Sequence, residues 1–138
     1  MICDLMRSEY FTDVSICNAG SFRKNGVIPA GPLSLMVIQE SFPFNDPTMV
    51  LKMSGEVLMQ ALQFSVSAYP AEDGRFPQVS GLQFLFNPEK PSHRRIFQTE
   101  VYTEDGGYLN PTKLYTVAMP KYIALGGDGY TMFQQEGV

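Results

Sequence analysis

Apolar residues recur along this chain at two spacings, and the switches between them mark its elements. Residues 2–10, "ICDLMRSEY", predict a short helix, and Val14 and Ile16 then set a strand into the core. "NAGSFRKNGVIPAGP" is a loop by its Gly, Asn and Pro content. "LSLMVIQESF" is helical, and the two prolines of "PFNDP" break it. Met49, Leu51 and Met53 share one face of "TMVLKM", which is strand periodicity. Ser54 is a natural N-cap with Glu56 in the first turn, so "GEVLMQALQFSVSAY" predicts a helix over 55–69. Pro70 to Pro77 is a loop, and "VSGLQFLF" puts Leu82, Phe84 and Phe86 on one face of a strand over 79–86. After a turn at "NPEKPSHRR", the segments "IFQTEVYT", "EDGGYLNPTK" and "LYTVAMP" predict strand, turn and strand. A helical turn, "KYIAL", leads into "GGDG". Interleaved helices and hairpins give an α+β class rather than a doubly wound sheet.

Composition narrows the partners. With 138 residues and 44% hydrophobic content, the chain suits one domain with a sizeable core. Its net charge is −4 and its longest basic run is the pair Arg94-Arg95, which excludes nucleic acid as the main partner. No apolar run reaches a membrane span, and "MICDLMRSEYF" has no signal-peptide pattern. The first helix lacks a capping residue, so Met1 reads as the edge of a longer protein. Cys3 and Cys17 fit either two small buried hydrophobes or a single bridge, and they lack metal-ligand spacing.

The candidate chemistry is that of binding. His93, the only histidine, sits in a Pro- and Arg-rich turn, where a solvated loop role accounts for it. One histidine supplies neither a dinuclear metal site nor an oriented nucleophile–base pair, and no phosphate-binding glycine motif is present. The chain by itself is expected to be inactive. Three loops carry the remaining candidates. "NAGSFR" offers backbone amides, Asn18 and Arg23; "FPF" sets Phe44 between two breaks; "PKYIALGGDG" adds Tyr122 and Asp128. Two aromatics, a cation and a carboxylate match the base, phosphate and ribose of a nucleotide. Singly, each also has an ordinary structural role: core aromatic, solvated arginine, turn-capping aspartate. Three glycines around Asp128 predict a shaped loop that holds the acid toward something.

The ordered set "ICDLM", "NAGSFR", "FPF", "QVSGL" and "YTVAMPKYIALGGDGY" resembles the C-terminal domain of the 5′-nucleotidases, the group of ecto-5′-nucleotidase and the periplasmic UDP-sugar hydrolase. The resemblance runs from about residue 2 to 133. It implies mixed sheets packed together with helices outside, in a single substrate-binding domain over 1–138. It also implies a separate N-terminal metallophosphatase domain, carrying two divalent metal ions and the catalytic pair, to which this domain delivers substrate. The substrate implied is a nucleoside 5′-phosphate, hydrolysed by the parent to nucleoside and phosphate. The alternatives are a parent acting on 2′,3′-cyclic nucleotides or UDP-sugars, and a non-catalytic nucleoside-binding module. Carried over, Asn18, Gly20 and Arg23 belong to the loop that contacts base or ribose-phosphate. Phe44 and Tyr122 sandwich the base, Asp128 accepts from the ribose hydroxyls, and Ser80 lies near the base-side wall. Tyr122 stands where the family usually has Phe, and "FPFND" replaces Pro-Phe-Gly. The resemblance favours an extracellular, periplasmic or cell-surface location, with no membrane contact by this domain.

Overall fold

The computed structural model describes residues 1–135; the last three positions of the expected domain lie outside the described residues. Helix α1 (Ile2–Glu9) starts with no side-chain cap, and strand β1 (Val14–Asn18) follows. Helix α2 (Leu35–Ser41) is capped by Ser34, whose hydroxyl accepts from the Val37 N–H at 3.3 Å. Strand β2 (Thr48–Ser54) leads into α3 (Gly55–Ser65), with Ser54 capping the Val57 N–H as its sequence predicts. The remaining elements are β3 (Pro77–Ser80), β4 (Leu82–Phe84), β5 (Val101–Thr103), β6 (Leu114–Pro120) and α4 (Lys121–Ala124).

The larger sheet has the order β2-β6-β1-β3. It is mixed: β6 runs antiparallel to β2 and parallel to β1, and β1 runs antiparallel to β3. Strands β4 and β5 form a separate antiparallel pair. All of β1 is buried, and its alternation divides the interior. Val14 and Ile16 join Leu51, Met53, Leu58, Leu62 and Val117 in the main core, which α3 covers. Ser15 and Cys17 face the other way, under α1, where the Ser15 hydroxyl donates to the Cys3 carbonyl at 2.5 Å. Cys3 and Cys17 are buried and free, so of the two sequence options the pair of small buried side chains is the one found. No helix among the described residues is long and apolar enough to cross a membrane.

Three elements differ from expectation. Helix α3 ends at Ser65, four residues before Tyr69. Tyr69 precedes Pro70, which disfavours helical backbone. The carbonyls freed there are taken by the buried Arg95, whose Nη1 donates to Val66, Ser67 and Tyr69 at 2.6, 3.2 and 2.8 Å. The strand over 79–86 is two strands, because Gly81 turns the chain at φ +83°. A Cβ at Gly81 would lie 2.1 Å from the Asp13 carbonyl oxygen, so only glycine fits. Strand β5 covers only 101–103 and pairs with β4, not β6. Strand β6 is central instead: Val117, Ala118 and Met119 are consecutive and all buried, which requires cover on both faces.

Candidate functional site

Strand direction gathers the loops. Strands β1 and β6 are parallel neighbours, so the loops after Asn18 and Pro120 leave the sheet at one end. Strands β2 and β3 run the opposite way, so the turns leading into them arrive at that same end. Open sheets collect ligands at the carboxyl ends of parallel strands, where such loops meet.

Asn18, the last residue of β1, is buried and polar, and its amide is oriented from both sides. Its Oδ1 accepts from the Ser21 hydroxyl at 2.6 Å, and its Nδ2 donates to Asp128 Oδ2 at 2.5 Å. The Tyr122 hydroxyl donates to Asp128 Oδ1 at 3.0 Å. Each carboxylate oxygen therefore has one protein donor and keeps acceptor capacity for a ligand. Asp128 itself sits at φ +52°, a left-handed conformation that a short acidic residue tolerates. Gly127 completes the arrangement: a Cβ there would lie 2.6 Å from the Tyr122 ring, so the ring rests directly on the loop. The glycines around Asp128 let an aromatic ring and a carboxylate share one small surface.

Phe44 follows α2 and is 53% exposed, and Tyr122 is 52% exposed; neither is a core residue. The Arg23 guanidinium lies over the Phe44 ring, 5.2 Å from its centroid. The turn carrying Phe44 is fastened to α4 twice. Asp46 Oδ2 accepts the Tyr122 N–H at 2.9 Å, and the Pro47 carbonyl accepts the Lys121 N–H at 2.8 Å.

Asn18, Gly20, Arg23, Phe44, Tyr122 and Asp128 line one cavity of about 590 Å³. That volume is in the range of small-ligand sites. Six of the seven residues singled out in the sequence therefore meet. Ser80 does not. In the β1–β3 register Ser80 pairs with Ser15 while Asn18 pairs with Pro77, which puts Ser80 toward the opposite end of the strand. It lines a different cavity, of about 600 Å³, with Arg7 and Glu104. There the guanidinium is already engaged, by a two-pronged ion pair with Glu104. Volume does not separate the two cavities; the available chemistry does.

The first loop also works differently from its sequence reading. The N–H groups of Ala19, Gly20, Phe22 and Arg23 are donated to the carbonyls of Phe76, Gly74, Ala19 and Ser41. The loop thus presents side chains to the cavity, not those amides. Gly74 and Ser21 also line the cavity, and no local sequence signal marks either of them. Gly74 Cα approaches so closely that a Cβ built there would lie 3.2 Å from Asp128 Oδ2. Arg75 and Asp73 hold that segment, paired at 2.9 Å, and Arg75 keeps the Asp73 carboxyl below its ordinary value. At the far end of the glycine loop the buried Tyr130 hydroxyl donates to the Arg75 carbonyl at 2.5 Å, and burial pushes its pKa up.

The family model described as "5′-nucleotidase, C-terminal domain" matches residues 1–135. The chain belongs to this family. It is 31% identical over 157 residues to a 5′-nucleotidase of Diplobatis ommata, an alignment covering 99% of this chain and 26% of that protein. The solved structure of a 5′-nucleotidase precursor from Thermus thermophilus superposes with a TM-score of 0.88 at 31% identity, covering 99% of this chain and 28% of that one. The chain thus spans about a quarter of the length of these relatives. As a 5′-nucleotidase C-terminal domain it has the α+β arrangement of sheets and helices that the resemblance implied, with the larger sheet mixed and the smaller one antiparallel. No three His, Cys, Asp or Glu side chains among the described residues are arranged to hold a metal ion. The two divalent ions implied by the resemblance are assigned by it to the N-terminal domain, and the described residues offer no ligand set for them.

Proposed function

We propose that this chain is the nucleotide-binding domain of a two-domain phosphohydrolase that converts nucleoside 5′-phosphates to nucleoside and phosphate. The observation that carries this is the fixed Asp128 carboxylate, set in one cavity with two half-exposed aromatic rings and a cation. A carboxylate with free lone pairs suits a vicinal diol, Phe44 and Tyr122 suit the two faces of a base, and Arg23 suits phosphate. Arg23 has no ion-pair partner among the described residues, which leaves its charge available. Family membership supports the same assignment, since the relatives compared above carry the name 5′-nucleotidase. In this account metal binding and hydrolysis belong to a catalytic domain supplied by the rest of the parent chain. The protein works outside the cytosol, the location favoured by the resemblance.

The test is amide chemical-shift mapping of the 138-residue chain with AMP. Shifts concentrated at Asn18, Gly20, Phe44, Tyr122 and Asp128 support the assignment. No shifts, or shifts confined to the cavity around Ser80 and Arg7, overturn it.

A further inference from the structure

Tyr122 is joined to the site through both of its ends. Its backbone N–H is held by Asp46, on the turn that carries Phe44, and its hydroxyl is held by Asp128. The hydroxyl also accepts from the Asp128 N–H at 3.3 Å, so ring and carboxylate are linked in both directions. A Phe at this position would make neither hydroxyl contact. The chain Ser21–Asn18–Asp128–Tyr122–Asp46 is continuous, and it connects all three loops that carry the candidate residues.

Resting on the nucleotide-binding assignment above, we propose that the Tyr122 hydroxyl is a specificity-determining group that couples the base platform to the ribose acceptor. It holds the Asp128 carboxylate at one rotation, with its remaining lone pairs directed to the cavity. A ligand with a 2′,3′-diol then gains two charge-assisted bonds at a carboxylate that is already ordered. A dideoxy ligand gains nothing from that order. Tyr122 acts here as a positioning residue, and the substrate class it favours is the ribonucleotide.

The experiment is calorimetric titration of wild type, Tyr122→Phe, Asp128→Asn and the double variant with AMP and with 2′,3′-dideoxy-AMP. Tyr122→Phe keeps the stacking ring, so dideoxy-AMP affinity should stay within about twofold of wild type. AMP affinity should fall about fivefold or more, through the lost ordering of a charged acceptor. Once Asp128 is Asn, removing the hydroxyl should change the AMP preference by less than about twofold. An unchanged AMP-to-dideoxy ratio in Tyr122→Phe, or equal losses for both ligands, overturns the coupling while leaving nucleotide binding intact. Absence of AMP binding by wild type overturns both proposals. If Tyr122→Phe melts well below wild type, the lost hydroxyl is a stability contact, and the coupling is likewise rejected.

Discussion

Asn18 donates its side-chain amide to Asp128 across 110 positions of sequence, tying the end of β1 to the glycine loop after β6. Replacing Asn18 by Asp would set two carboxylates against each other at that contact, where like charges at close range cannot both ionise comfortably. The folded pKa of one carboxyl would then rise above its unfolded value. A raised acid pKa removes stability above it and restores stability as protonation proceeds. Asn18→Asp should therefore melt lower than wild type at pH 7, with the gap narrowing on acidification to about pH 5. A gap that stays constant across that interval would show that the two side chains do not meet.

Phe44→Ala should separate binding from folding. The ring is half exposed and outside the main core, so the melting temperature should move little. Stacking on an aromatic is worth about 1–3 kcal/mol per base. AMP binding should weaken about tenfold or more while thermal denaturation is nearly unchanged. Unfolding of the variant would instead make Phe44 a structural residue.

The entry to β1 carries a second long-range carboxylate contact. Asp13 Oδ2 accepts from both the backbone N–H and the hydroxyl of Thr116, each at 2.8 Å. The backbone bond leads in holding its carboxyl below the ordinary value of 3.8. A depressed folded pKa contributes stability that is complete above 3.8 and is lost as pH falls through the lower folded value. Acid titration of the melting temperature should therefore fall more steeply below pH 3.8 in wild type than in Asp13→Asn. Parallel acid limbs would rule Asp13 out as a contributor.

What the sequence made legible were contacts local to a segment. The alternation of Met49, Leu51 and Met53 and the Ser54 cap are short-range signals, and both appear in β2 and α3 as expected. Strand partnership was not legible, because "LYTVAMP" reads the same whether it pairs with β5 or lies between β2 and β1. By sequence Arg95 belongs to the turn at "NPEKPSHRR", and nothing near it in the chain shows the three carbonyls it serves. The loops of the site were legible from their Gly, Pro and aromatic content. Asp46 drew notice only as a departure from the family, and its tie to the Tyr122 amide needed the fold. Ser80 enters the candidate set through the resemblance alone, and its distance from the other six follows from the β1–β3 register, which local sequence does not carry.

The central claim is that the Asp128 carboxylate receives ribose hydroxyls. Asp128→Asn keeps the shape, and its amide oxygen can still accept from Asn18. Its NH₂ group then stands where Oδ1 was, and cannot accept from a ligand. Calorimetric titration of wild type and Asp128→Asn with AMP and 2′,3′-dideoxy-AMP gives a double-difference free energy. Charge-assisted bonds to two hydroxyls predict a value of about 1.5 kcal/mol or more, lost only for the ribose ligand. A value within about 0.3–0.5 kcal/mol of zero, the scatter of independent effects, would contradict the account and leave Asp128 a turn residue.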